Sequence, residues 1–129
     1  MLPYYIYKLI TIFIRPFIAF YILIRISKGK EDRARIAERY GTSDVERKKG
    51  KVIWFHAASI GESLSILPLL RKLNSDKSID QIILTTGTVT SANILKNKLS
   101  KKIIHQYVPF DIPSYVNKFL NHWKPSLAV

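Results

Sequence analysis

Three regimes of hydrophobic patterning divide the chain. Residues Leu2–Ile26 are dominated by Ile, Leu, Phe and Tyr, interrupted by Lys8 and Arg15 and punctuated by Pro3 and Pro16. Residues 28–50 are mostly polar and charged. From Lys51 onward, short apolar runs alternate with stretches whose apolar positions recur every three or four residues. That is the pattern of buried strands alternating with amphipathic helices.

Val52–Phe55 predicts the first strand. Small residues and Gly61-Glu62 follow, and an apolar face resumes at Leu64, Leu67, Leu70 and Leu73, which predicts a helix over Glu62–Leu73. Pro68 removes an i→i−4 hydrogen bond there, so the helix is expected to bend or to start later. Asn74–Asp80 reads as a loop, Gln81–Leu84 as a second strand, and Thr85-Thr86-Gly87-Thr88 as a hydroxyl-rich turn. Val89–Leu99 is expected to be helical, with Ala92, Leu95 and Leu99 on one side. Ile103–Val108 predicts a third strand and Pro109–Pro113 a turn. Ser114–Trp123 predicts a helix burying Val116, Phe119, Leu120 and Trp123, and Ser126–Val129 begins a fourth strand. This order predicts an α/β fold, a Rossmann-like parallel sheet with right-handed crossovers. So few short strands make a thin core. The pattern therefore reads as an incomplete domain, a piece of a longer enzyme.

Three units are expected: a membrane anchor or interfacial helix over 1–27, a basic helix and linker over 28–50, and a partial Rossmann-like domain over 51–129. The apolar run Leu9–Ile24 would be about 24 Å long as a helix, against a hydrocarbon core of about 30 Å. Arg15 near its centre costs roughly 2.5–3.5 kcal/mol on insertion, against about 0.3–0.6 kcal/mol returned per large apolar residue. The segment therefore either lies in the interface or forms a short tilted anchor; a buried core helix is the third option. The following SKGKED offers no signal-peptidase pattern. Glu31–Tyr40 reads as a short polar helix ended by a left-handed Gly41. It is either a solvated linker or a set of arginines for lipid phosphates. Val45–Gly50 is the expected boundary.

The chain carries a net charge of +12 with a pI near 10.0, which implies an anionic partner. In the first half the positive charge crowds between Arg25 and Lys49, just after the apolar segment. Grease followed by base points to a membrane surface before nucleic acid. Lys8, Arg15, Arg25, Lys28, Lys30, Arg33 and Arg35 are candidates for anionic head groups, the alternative for each being plain solvation. No cysteine is present, so disulfides and thiolate metal sites are excluded. His56, His105 and His122 are too dispersed for a local zinc motif. There is no P-loop or GxGxxG. The aromatic residues cluster in the apolar segment and the strands rather than among basic residues, so nucleic acid is not an expected partner.

Glu62 is the sole acidic residue between Lys51 and Arg71. It stands where a strand hands over to a helix, the ligand crevice of open α/β sheets. Backbone N–H groups at such a helix start favour anionic or hydroxyl-bearing ligands. A carboxylate there serves either as a general base or as a complement to the helix dipole. Ser59 and Gly61 shape the turn, with Gly61 allowing close backbone approach or simply packing. Thr86, Thr88 and Thr90 either bind a ligand or cap the next helix. His56 is expected to be structural, and Asp111 to cap a turn.

Four blocks together resemble the 3-deoxy-D-manno-octulosonic acid (Kdo) transferases: RARIAERYG at 33–41, WFHAASIGE at 54–62, TTGTVTSA at 85–92 and PFDIPSYVNKFLNHWKPSLAV at 109–129. HAASIGE is the most specific of them. The resemblance implies an inverting GT-B glycosyltransferase at the cytoplasmic face of the bacterial inner membrane. It would move Kdo from CMP-Kdo to a hydroxyl of the lipid A precursor, without a cofactor or catalytic metal. The family's essential glutamate falls on Glu62; Ser59, Gly61, Thr86 and Thr88 become the candidate acceptor contacts. The family continues past the fourth strand into a nucleotide-sugar domain. This stretch alone is accordingly expected to be inactive, and a separately encoded carboxy-terminal half is one candidate partner. The competing expectation is a non-catalytic, membrane-anchored module that binds acidic lipid independently of Glu62.

Overall fold

Parallel pairing organises the chain from Val52 onward in the computed structural model, which describes residues 1–129. The strands are β1 (Val52–Ala57), β2 (Gln81–Thr86), β3 (Ile103–Tyr107) and β4 (Leu127–Ala128), in the order β3-β2-β1-β4. The helices are α1 (Leu2–Ser27), α2 (Ile36–Arg39), α3 (Ile60–Ser65), α4 (Leu67–Asn74), α5 (Val89–Leu95) and α6 (Pro113–Trp123). Phe55 stands beside Leu84, and Leu84 beside His105, so like-facing side chains form rows across the sheet. The expected α/β class is present. Helices cover both faces, as an all-parallel sheet requires.

One face of the sheet, with Ile53, Phe55, Ile82, Leu84 and Ile103, packs on Leu67, Leu70 and Leu95. The other, with Val52 and Ile83, packs on Phe119 and Trp123 of α6. The buried Trp123 indole donates to Gln106 Oε1 at 2.8 Å, so this polar pair is satisfied inside the core.

Several elements differ from the expectation for local reasons. The helix expected over Glu62–Leu73 is two helices meeting at Ile66. Pro68 lies in the first turn of α4, where a missing N–H leaves no bond unmade. Strand β2 runs on through Thr85 and Thr86, which are fully buried rather than in a turn. Their hydroxyls are satisfied within the sheet: Trp54 Nε1 donates to Thr85 Oγ1 at 2.9 Å, and Thr86 Oγ1 lies 2.7 Å from His105 Nε2. Helix α5 stops at Leu95, where Lys98 N–H turns back to the Leu95 carbonyl at 2.9 Å.

The stretch Glu31–Arg39 packs against the domain, contrary to the solvated-linker reading of Glu31–Tyr40, while most of residues 42–50 are exposed. Arg35 donates to the His105 carbonyl at 2.9 Å, and Glu38 accepts from Tyr107 N–H at 2.8 Å. Together this ion pair occupies the outward groups of β3, an edge strand that would otherwise offer itself for pairing. Arg47 donates to the Trp123 carbonyl at 2.6 Å. Gly41 adopts φ +83°, as a left-handed helix end requires, and a Cβ there would strike the Tyr115 carbonyl. Gly41→Ala is accordingly expected to lower stability by about 2–3 kcal/mol, read as a shifted urea midpoint at unchanged slope.

Helix α1 is continuous through Pro16 and spans 26 residues, about 39 Å of rise. It is long and apolar enough to cross a membrane by length and composition. One stripe of it packs on the domain: Ile18 and Ile22 join Ile112 and Tyr115, with Ile26 and Tyr40 alongside.

Candidate functional site

The site is the carboxyl end of the sheet. From β1 the chain steps through β2 to β3, then returns past β1 to place β4 on its other side. That reversal makes the carboxyl end of β1 a topological switch point, the position where open α/β sheets bind ligands. The turn Ala58-Ser59 leads from β1 into α3, and Glu62 lies in the first turn of α3.

Ser59 is the N-cap of α3, and its hydroxyl accepts from Glu62 N–H at 3.2 Å. In return, Glu62 Oε2 accepts from Ala58 N–H at 2.8 Å. This reciprocal arrangement is close to a capping box, shifted by one residue. It fixes the carboxylate at an exposed turn and leaves Oε1 without a partner in the chain. Of the two readings of Glu62, the structure shows the cap: one oxygen takes the Ala58 N–H, and the other is presented outward. Gly61 has open space where a side chain would be, with Ser59 Oγ the nearest atom at 3.9 Å. The fold itself does not require glycine there, which leaves room for something from outside the chain.

The threonines separate. Thr86 is buried and bound to His105, so its hydroxyl is not open to a ligand. Thr88 caps α5, accepting from Ser91 N–H at 3.1 Å. Thr88 and Thr90 do line a hollow of about 300 Å³ shared with Arg25, Gly29 and Lys30 from the end of α1 and the turn after it. His56 is exposed near the end of β1, with Nδ1 3.0 Å from Thr85 Oγ1. Asp111 accepts from the Tyr7 hydroxyl at 2.8 Å, so it ties α1 to the loop after β3 as well as standing in a turn.

The basic residues also divide. Arg25 pairs with Glu31 at 2.8 Å, Arg35 with Glu38 at 2.9 Å, and Arg15 stacks over Tyr115. Lys8, Lys28, Lys30 and Arg33 remain exposed. Glu31 and Arg39 were not singled out by the sequence, yet both are buried, and they bond to each other at 3.4 Å. The only available signal was an acidic pair, Glu31-Asp32, set among bases.

A second hollow, about 440 Å³, lies along β3 between Arg35, Asn93, Lys96 and His105. Arg35 Nη2 is 3.1 Å from His105 Nδ1 and must donate, so Nδ1 accepts and the ring proton sits on Nε2, toward Thr86. Burial first, and the Arg35 charge second, push the imidazole from 6.5 down to about 4. The unfolded chain therefore binds the extra proton between these values, and stability is lost as pH falls from 6.5 toward 4. The loss should approach about 2–3 kcal/mol. Urea midpoints across this range should fall with acid in the native sequence and flatten in His105→Gln.

The geometry thus defines a parallel α/β domain with a capped, outward-facing carboxylate at the carboxyl edge of its sheet. The family described as 3-deoxy-D-manno-octulosonic-acid transferase (kdotransferase) matches residues 34–129. Over 126 residues the chain is 37% identical to the probable mitochondrial 3-deoxy-D-manno-octulosonic acid transferase of Arabidopsis thaliana, covering 98% of this chain and 28% of that protein. It is 35% identical to the transferase of Rickettsia bellii and 32% identical to that of Haemophilus influenzae, in each case over 95% of this chain and 29% of the relative. No solved structure matches. The chain belongs to the 3-deoxy-D-manno-octulosonic acid transferase family, and it spans under a third of the length of these relatives.

Proposed function

We propose that this chain forms the acceptor side of an inverting glycosyltransferase that moves Kdo from CMP-Kdo to a hydroxyl of the lipid A precursor. Glu62 is the base. Its free Oε1 takes the proton from the acceptor hydroxyl. The freed oxygen attacks the anomeric carbon of Kdo from the face opposite CMP, and CMP leaves with the bonding electrons. The observation that carries this reading is the Glu62 carboxylate, held by Ala58 N–H at the carboxyl end of β1 with one oxygen open, within the stretch matched to the family. General-base help of this kind contributes about 10²–10⁴-fold.

Ser59 and Gly61 hold and admit: Ser59 fixes the first turn, and Gly61 leaves space for the sugar. Thr88 and Thr90, with Lys30, border the hollow nearest the end of α1, where a phosphate of the acceptor has both charge and hydroxyl partners. Thr86, buried at the end of β2 and bonded to His105, makes no acceptor contact in this reading. A second Rossmann-like domain across the crevice, completing a GT-B architecture, supplies the CMP-Kdo site in this reading. Location at the cytoplasmic face of the inner membrane follows from the lipid acceptor and the basic residues beside α1.

The test is a transfer assay with CMP-Kdo and lipid A precursor, using the intact protein that contains these residues. A product heavier by one Kdo is expected. Binding of the acidic lipid with no transfer would support the non-catalytic alternative instead.

A further inference from the structure

We propose that α1 lies in the plane of the bilayer, clamped along its length to the sheet domain, and does not cross the membrane. The inference rests on the placement of contacts along the helix. Tyr7 bonds Asp111 at 2.8 Å near one end, and Arg25 bonds Glu31 at 2.8 Å near the other. These two anchors are 18 residues apart in sequence, about 27 Å along the axis. Between them Arg15 stacks on Tyr115, and Ile18 and Ile22 are buried in the domain. All of these positions share one helical face.

The opposite face is bare. Phe13 is 74% exposed, Phe17 71% and Phe20 66%, while Ile22 on the clamped face is 3% exposed. Leu9 and Leu23 extend the bare stripe in both directions. A helix held along one side can put only its other side into lipid. If it crossed the bilayer, the loop around Asp111 and Pro113 would have to enter the hydrocarbon with it, or both anchors would have to break.

Charge identifies the occupant of the bare face as a membrane of acidic lipid. Helix α1 contains Lys8, Arg15 and Arg25 and no acidic residue. Both carboxylates that touch it from the domain, Asp111 and Glu31, are engaged by Tyr7 and Arg25. Lys8 and Arg15 line a seam between α1 and the start of α6 with Thr11 and Ser114. They therefore border the apolar stripe on one side, where the helix meets the domain, and their long side chains can reach head-group phosphates from there. The orientation has a consequence for the reaction. Helix α1 packs on the loop after β3 and the start of α6, and the residues at its end share a hollow with Thr88 and Thr90 after β2. A helix lying flat thus turns the carboxyl edge of the sheet toward the membrane surface, where a lipid-borne acceptor is carried. This step rests on the proposed function, but the placement of α1 is tested without reference to transfer.

The chain has no cysteine, so single probes are clean. Leu2→Cys, Phe13→Cys and Ser27→Cys, all at exposed positions, are each made in the full chain. Each is bound from outside to sealed vesicles of phosphatidylethanolamine and phosphatidylglycerol, then treated with a membrane-impermeant maleimide. Leu2→Cys and Ser27→Cys should both label without lysis, and Phe13→Cys should be protected until detergent is added. Labelling of Leu2→Cys only after lysis would show a spanning helix and overturn the proposal. Equal labelling of Phe13→Cys with and without vesicles, or failure of the chain to float with them, would show that the bare face meets water or another protein, and would overturn it too. None of these readouts changes if Glu62 proves dispensable for transfer.

Discussion

Replacing Glu31 by alanine should destabilise the protein by about 3–5 kcal/mol, the usual cost of leaving one member of a buried ion pair alone. The Glu31 side chain is almost wholly buried and is shared by Arg25 at 2.8 Å and Arg39 at 3.4 Å. Arg39 is itself buried, and its Nε has no partner. Burial lowers the Arg39 pKa, and the negative charge of Glu31 is the largest influence opposing that. Without Glu31 the guanidinium keeps its bond to the Val108 carbonyl at 2.6 Å but loses its counter-charge. The lost carboxylate also frees Arg25 and with it the carboxyl end of α1. Glu31→Gln should cost less, because an amide oxygen still accepts a hydrogen bond. Denaturant melts of both variants check this: the midpoint should fall further for alanine than for glutamine, at a similar slope.

The second large effect falls on chemistry rather than stability. In the intact enzyme, Glu62→Gln is expected to slow Kdo transfer by about 10²–10⁴-fold. Glutamine can still accept from Ala58 N–H, so the turn and the cap survive, and the loss in stability should stay within about 0.5 kcal/mol. What disappears is the ability of the outward oxygen to take a proton. Ser59→Ala gives the contrasting profile. It removes the hydroxyl that accepts from Glu62 N–H and costs about 1 kcal/mol of stability, while the Glu62 carboxylate remains. Its effect on rate should therefore be smaller than that of Glu62→Gln and its effect on melting larger.

The sheet was legible because each strand is a compact apolar run bounded by turn residues, and because Phe119 and Trp123 repeat at helical spacing. Pro68 announced a break whose place the pattern left open; the structure puts it at Ile66. Thr85 and Thr86 were misplaced into a turn because their burial depends on Trp54 and His105, partners distant in sequence. The same cause hid the role of residues 31–41. Arg35, Glu38 and Arg39 look like solvated charges locally, but their partners are His105, Tyr107 and Val108, about 70 positions away. The cap made by Ser59 and Glu62 was legible because a capping residue and a lone carboxylate at a strand-to-helix turn form a local signal. The clamped face of α1 was not, since Tyr7 and Arg25 meet their acids only in the folded chain.

The central claim is that an oxygen of Glu62, left open at the edge of the sheet, removes the proton of the attacking hydroxyl. A single-turnover measurement on the intact enzyme with saturating lipid A precursor and CMP-Kdo tests it most directly, with acceptor binding followed in parallel. The account predicts that Glu62→Gln binds acceptor as the native protein does and transfers Kdo at least about a hundredfold more slowly. Transfer at the native rate with glutamine in that position would contradict it.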